Sequence, residues 1–232
     1  MQQIFLIALV VLVGGALVYA GILSSRKRRE GLRAVALRLG LHFESGTDRA
    51  LHRFFDHSLF KKGRSRQGTN NIFGSMEIHG YSVEVRMGDY QYTTGSGKNQ
   101  HTQRLSYACF RLPFVGTPDL TIREEGIGDK LAGSLGFDDI DFESEEFSRK
   151  FWVKSGDKRY AYDVIHPGMM EFLLKGPTPT IEIVQDVCLV REGWGRWEPD
   201  TFEGAPGWFD AFLQRWPEHL IDQLRPRSET GS

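Results

Sequence analysis

Cysteine is scarce in this 232-residue chain: Cys109 and Cys188 are the only two. No CxxC pair exists to start a zinc or redox site, and two thiols make no disulfide framework. Both lie in apolar, strand-like surroundings (YACFRL and DVCLVR), which reads as buried reduced thiols rather than a disulfide. The seven histidines include no HExxH pair, and His52 and His57 lack that spacing. No serine sits in GxSxG, so a nucleophile elbow is absent as well. The chain also has no internal repeat, no long low-complexity linker and almost no net charge, at −1. A nucleic-acid role would need basic residues interleaved with exposed aromatics or a binding motif, and neither is present.

What the chain does have is one long apolar run. Residues 4–23 read IFLIALVVLVGGALVYAGIL without a charge and are followed at once by Arg26, Lys27, Arg28 and Arg29. About 20 apolar residues at 1.5 Å per residue match a hydrocarbon core of about 30 Å, so the run predicts a transmembrane anchor over residues 1–25. A cleaved signal peptide fits less well, because residues 1–3 carry no basic side chain and arginines follow the run. No cysteine follows it, which excludes a lipoprotein anchor. The positive-inside rule then places the N-terminus outside and the remaining domain on the cytoplasmic side of an inner membrane, single-pass. Small residues at Gly14, Gly15, Ala16, Ala20 and Gly21 would let a second such helix approach.

Charge is distributed unevenly. Between residues 24 and 70 twelve basic residues face four acidic ones, a balance of +8, and the rest of the chain carries −9. Juxtamembrane cations are attracted to an anionic leaflet by about 1 kcal/mol each. This assigns Arg26, Lys27, Arg28 and Arg29, and the second cluster Lys61, Lys62, Arg64 and Arg66, to a membrane-facing surface. The partners expected are the lipid bilayer and another membrane protein, with no nucleic acid; self-association is left open.

Beyond the anchor, periodicity divides the chain into a basic helical segment (26–68), a folded domain (69–224) and a disordered tail (225–232). Leu32, Val35, Ala36, Leu39 and Leu41 have near-helical spacing, with Gly40 as a stop. Leu51, Phe54, Phe55, Leu59 and Phe60 form a dense apolar cluster. Tyr81, Val83, Val85 and Met87 then alternate with Ser82, Glu84 and Arg86, the pattern of a strand with one face on a core, paired with 72–78 through His79 and Gly80. Strands over 104–112 and 120–123 follow, and a brief helix is expected at Ile127, Leu131 and Leu135. Phe151 and Val153 start further strand pieces, and Tyr160, Tyr162 and Val164 alternate as another strand. Pro167 opens a helix to Lys175, a hairpin turns at Gln185 and Asp186, and Phe209, Phe212, Leu213, Trp216 and Leu220 mark an amphipathic helix that Pro217 bends or divides. The expected fold is α+β: a transmembrane helix, then an antiparallel sheet with short helices and a C-terminal amphipathic helix.

Two blocks resemble an uncharacterised family of bacterial single-pass membrane proteins, a domain of unknown function. The first is DFESEEFSRKFWVKSGDKRYAYDVIHPGMMEFLL, through Phe147, Phe151, Val153, Asp157, Ala161, Pro167, Met170 and Glu171; the second is NNIFGSMEIHGYSVEVRMGDYQYTTGSGK. The resemblance covers about half of the chain and implies the order of elements. It carries over no catalytic residue.

Candidate sites are few. GSGK at 95–98 lacks the first glycine of a P-loop, where Tyr92 stands, and its hydroxyl, where Asn99 stands, so it reads as a hairpin loop. Asp138, Asp139, Asp141 and Glu143 offer oxygens to a cation or an acid and base pair, but alternate with Ile140 and Phe142 as on a solvated strand edge. Trp194, Arg196 and Trp197 form either an aromatic and basic lip or a cover folded over the sheet. The leading expectation is a non-enzymatic binding or scaffold protein without cofactor, metal or catalytic residues. The alternatives are an enzyme built from Asp139, Asp141 and His101, and a module that senses anionic lipid through residues 61–66.

Overall fold

A computed structural model describes residues 2–125, 140, 142–176, 179–193 and 195–226. The chain starts with helix α1 (Gln2–Arg38). Strand β1 (His42–Glu44) and the short helices α2 (Leu51–Phe54) and α3 (Ser58–Lys61) lead into the long hairpin β2 (Arg64–Ile78) and β3 (Tyr81–Thr94). Then come β4 (His101–Arg111), β5 (Phe114–Val115), β6 (Leu120–Glu124), helix α4 (Glu145–Lys150) and β7 (Phe151–Ser155). Helices α5 (Lys158–Val164) and α6 (Pro167–Lys175), the hairpin β8 (Pro179–Val184) and β9 (Val187–Glu192), helices α7 (Pro199–Leu213) and α8 (Glu218–Gln223), and β10 (Arg225–Pro226) complete it.

Eight strands form one antiparallel sheet in the order β1-β2-β3-β4-β9-β8-β6-β7, and β10 pairs with β5 in a separate ribbon. The antiparallel α+β domain expected from the period-two segments is therefore present. Because side chains alternate across a strand, the sheet has two distinct faces. Val83, Val85, Met87, Phe110, Ile122, Val153, Ile181, Ile183 and Val190 join the main core, which also contains Leu32 and Val35 of α1, Phe209 and Phe212 of α7, Met169 of α6 and Tyr160 of α5. The other face carries Tyr90, Tyr92, Leu105, Tyr107, Cys109, Val187 and Leu189, which pack with Leu51, Leu59 and Phe60.

The transmembrane helix is corrected by the structure. Among the described residues no helix is long and apolar enough to cross a membrane. The physical reason lies in α1 itself: it does not end at the basic cluster but continues through it to Arg38 as one element of 37 residues. Past residue 23 the same helix takes in Ser24, Ser25 and four consecutive basic residues before Leu32, Val35 and Ala36 enter the core of the domain. The single-pass membrane assignment and the inner-membrane localisation with a cytoplasmic domain fall with it.

The end of α1 is built as expected. Gly40 has φ +69°, Leu41 N–H donates to Ala36 O at 2.8 Å and Gly40 N–H to Leu37 O at 3.2 Å, the paired bonds of a left-handed C-terminal cap. Residues 158–164, in contrast, form helix α5 rather than a strand. The side chain of Asp157 accepts from Tyr160 N–H at 3.1 Å and starts the helix, whose buried residues Tyr160, Ala161 and Val164 share one face. Pro217 divides the C-terminal helices, standing at the N-cap of α8. The helix expected at Ile127, Leu131 and Leu135, the side chain of Phe54 and the tail beyond 226 lie outside the described residues.

Candidate functional site

Helix α1 uses one face to join the domain. Arg28, Leu32, Val35 and Ala36 recur at helical spacing; the three apolar residues are at most 1% exposed, and Arg28 is a half-buried position at their N-terminal end. Its guanidinium reaches Asp89 on β3, with Nε to Oδ2 at 2.7 Å and Nη2 to Oδ1 at 2.6 Å, while Nη1 donates to Trp197 O at 2.9 Å. This is a fork-on-fork pair, the geometry in which arginine binds a carboxylate best.

Asp89 points to the helix-covered side of the sheet and its side chain is 2% exposed. Asn70 Nδ2 donates to Oδ2 at 2.9 Å and Ser106 Oγ to Oδ1 at 2.8 Å; Ser106 Oγ also accepts from Trp197 N–H at 3.0 Å. Asn70 reaches in because β2 bulges there: the register with β3 shifts between Thr69 and Ile72, and Asn70 has φ +53°. Gly88 makes room for the bulge, since a Cβ on it would stand 3.1 Å from Thr69 O and 3.2 Å from Asn70 O. Burial raises the carboxyl's pKa, but hydrogen bonds from Arg28 and Asn70, the charge of Arg28 and the bond from Ser106 outweigh it and hold Asp89 below the usual carboxylate range. With four donors on two oxygens this carboxylate has little capacity left for a reacting group. It is a clamp.

Beyond the clamp, the N-terminal part of α1 carries exposed Leu9, Leu12, Val13, Leu17, Val18, Tyr19, Ile22 and Leu23, at 47–71% exposure. Such a concentration of large exposed apolar side chains on one helix segment is more than scattered surface hydrophobics amount to. Arg26, Arg29, Glu30 and Arg33 form a polar cleft of about 320 Å³ on the outward side of the same helix, and Arg33 stands 5.6 Å from the ring of Phe43. The four basic residues expected to act together are thus divided, with Arg28 turned into the protein and Arg26 and Arg29 turned outward.

The second basic cluster is engaged by the fold. Lys61 pairs with Asp56 at 2.8 Å, Arg64 donates to Gly95 O and to Gln100 Oε1 at 3.1 Å, and Arg66 donates to Phe60 O at 3.1 Å. The 95–98 loop is a hairpin connection with a short 3-10 turn at Gly97–Asn99. Of the enzyme candidates, His101 is exposed at the start of β4, while Asp138, Asp139 and Asp141 lie outside the described residues, as does Trp194. Trp197 is 6% exposed and packs edge-on against Phe202, so it covers the sheet rather than forming a lip. Among the described residues no group of three His, Cys, Asp or Glu side chains is placed to hold a metal ion.

Three further clefts carry no catalytic constellation. The broadest, about 940 Å³, contains Glu143, Glu146 and His166, but both ring nitrogens of His166 are engaged, by Gly168 N–H at 3.1 Å and Arg215 O at 2.7 Å. One of about 410 Å³ lies on the second sheet face beside Phe73, Arg86 and Cys109, where burial pushes the thiol well above its usual range. An apolar one of about 300 Å³ separates α7 from β9 between Trp197 and Trp208.

The clamp was not foreseen from the sequence, because nothing local marks Arg28 out from its basic neighbours. The signal available was its phase: it continues the apolar stripe of Leu32, Val35 and Ala36 one turn earlier.

No family model and no curated protein matches the chain. Among solved structures it is similar to the crystal structure of the mycobacterial trehalose monomycolate transport factor A, TtfA, with 12% identity and a TM-score of 0.50 over 82% of this chain and 95% of that one. At that identity the likeness speaks to the fold alone.

Proposed function

We propose that this protein is a non-enzymatic binding domain, a scaffold that holds a long helix at a fixed attitude and offers its apolar N-terminal part to a partner polypeptide. The observation that carries the reading is the Arg28–Asp89 clamp, with eight large exposed apolar side chains on the same helix beyond it. A buried, fully hydrogen-bonded ion pair fixes direction more than it adds stability, and direction matters when a helix must be presented. The partner is an apolar helix flanked by acidic residues, because Arg26, Arg29 and Arg33 border the apolar section on its outward side. The saturated Asp89 and the absence of a catalytic constellation among the described residues favour binding over catalysis.

A photo-crosslinking residue placed at Leu17 of the full chain tests this, with Leu37, also exposed but beyond the clamp, as control. One discrete polypeptide adduct from position 17 and none from 37, abolished by Val13→Asp and weakened by Asp89→Asn, is the expected result. Adducts to lipid alone, or equal labelling from both positions, would overturn the reading. A lipid sensor acting through residues 61–66 has less support, since Lys61, Arg64 and Arg66 already hold partners within the fold.

A further inference from the structure

Strand β9 carries Val190 on the helix-covered side of the sheet, and the strand period of two puts Glu192 on that side as well, with Pro179 of β8 opposite it. Across from them helix α7 presents Thr201, Gly204, Ala205 and Trp208, positions i, i+3, i+4 and i+7, which share one face of a helix. The first three are too small to reach the strand. A cleft of about 300 Å³ is left between helix and hairpin, and a Cβ added to Gly204 would meet nothing within 4 Å. Clefts that take small organic ligands start at about this volume and are mostly apolar, with a few polar groups that set orientation.

The walls are aromatic, and each is held by a further ring. Phe110, fully buried, stacks on Phe209 with centroids 4.3 Å apart. Trp208 stacks on Phe212 at 5.5 Å, with planes 9° from parallel, and lies 5.8 Å from Phe172. Trp197 meets Phe202 at 5.2 Å, and its Nε1–H donates to Glu192 O at 3.4 Å. Its main chain is fastened too, since Trp197 N–H donates to Ser106 Oγ at 3.0 Å and Trp197 O accepts from Arg28 at 2.9 Å. Rings held in this way do not fall into the space between them. The cleft is preformed, so filling it costs little reorganisation.

Charge then selects what fills it. Phe110, Val190 and Trp197 are buried at the base of the cleft, while Glu192 is exposed and is the single charged residue among those that line it. A carboxylate at the open side attracts a cation and repels an anion. Aromatic rings add to the same preference, because their electron-rich faces attract ammonium groups. Fatty acids and phosphate esters are disfavoured on both counts.

We propose that the cleft between α7 and the β8–β9 hairpin binds a small aromatic amine in its ammonium form. The ring packs between Trp197 and Trp208 over Val190, and the ammonium group lies toward the Glu192 carboxylate.

Calorimetric titration of the full chain at neutral pH and constant ionic strength tests the site with three probes of similar shape: 2-phenylethylammonium, 2-phenylethanol and 3-phenylpropanoate. The expected result is one ammonium ion bound per chain, with the alcohol weaker and the carboxylate weaker than the ammonium ion by about tenfold or more. Glu192→Gln should bring the ammonium ion down to the affinity of the alcohol and leave the alcohol unchanged. Gly204→Leu should weaken all three probes by about tenfold or more, because its side chain occupies the cleft, and should not lower the thermal midpoint, because it replaces a glycine inside a helix. Carboxylate binding as tight as that of the ammonium ion, or ammonium binding that is unaltered in Gly204→Leu, overturns the proposal, as does the lack of saturable ammonium binding. Probe taken up by the exposed apolar part of α1 would survive Gly204→Leu and so counts against the site. That part of α1 does not line the cleft, so failure here leaves the helix-presenting role standing.

Discussion

Arg28 and Asp89, 61 positions apart in the chain, meet in a two-pronged ion pair at 2.6 and 2.7 Å that joins the N-terminal helix to the third strand. Two more donors, Asn70 and Ser106, complete the carboxylate, and Trp197 O takes the remaining arm of the guanidinium. The pair therefore ties α1, β2, β3, β4 and the segment before α7 at one point.

Removing one member should be far worse than removing both. Asp89→Asn leaves a mostly buried guanidinium without its counter-charge, and a loss of about 3–5 kcal/mol is expected, read as a fall in the urea midpoint at unchanged slope. Arg28→Met with Asp89→Leu should recover most of it, because no uncompensated charge remains. A double variant as unstable as the sum of the single ones would show that the pair contributes net stability instead of only direction.

Acid should weaken the fold in two separate windows. His57 is 1% exposed; its Nε2–H donates to Val187 O at 2.9 Å, and burial lowers its pKa below 6.5. The unfolded chain then binds the proton more readily, so His57 contributes stability above pH 6.5 that declines as pH falls through and below that value. Asp89 has a folded pKa below 3.8, so its contribution is present above that value and is lost as pH falls below it. Urea midpoints measured from pH 8 to pH 3 should show both declines, with His57→Gln flattening the upper one and Asp89→Asn the lower one. An upper decline that persists in His57→Gln would assign it to another group.

The cysteines should never pair. Cys109 is level with Leu189, and Cys188 with Phe110, so the thiols sit on adjacent strands but on opposite faces of the sheet. Both are buried and free, and burial raises both above the usual thiol range. Labelling by a thiol reagent in native buffer should follow the rate of global opening for both positions, and mild oxidant should yield no intramolecular disulfide. Fast labelling of either thiol would reveal local opening of its sheet face.

Where two residues close together in the chain decide the structure, the sequence was legible. The hairpins at His79-Gly80 and Gln185-Asp186 follow from period-two flanks, and the turns have positive φ at both central residues, +53° and +75° in the first, +50° and +60° in the second. Tyr160, Tyr162 and Val164 misled because positions i, i+2 and i+4 fit a strand as well as a short helix; Tyr162 is in fact 48% exposed and Asp157 decides the matter as a cap. The reading of 4–29 failed for a different reason. Hydropathy is summed over a window, and it registers four basic residues as one stop signal, whereas the fold separates Arg28 from the rest by its phase on the helix. Asp89 could not be paired with Arg28 from the sequence, since 61 positions separate them and the neighbours of neither mark the other.

The attitude of α1 also depends on α7, which packs against it and against the sheet, and two contacts there invite opposite expectations. Arg38 and Glu203 form a two-pronged pair at 2.8 and 2.6 Å, yet both side chains are well exposed, at 49% and 38%. Water and salt screen such a pair, so Glu203→Gln should leave the urea midpoint unchanged within error. Phe209, fully buried, stacks on Phe110 of β4 with centroids 4.3 Å apart and planes 7° from parallel. Phe209→Ala removes that packing and leaves a void that the sheet below cannot close, a loss of about 3–5 kcal/mol. The comparison also separates stability from presentation. If crosslinking from Leu17 survives Glu203→Gln but drops in Phe209→Ala at temperatures where that variant remains folded, the helix is aimed by packing together with the Arg28 clamp. If Glu203→Gln alone abolishes it, the exposed pair aims the helix, and the buried contacts merely hold the domain together.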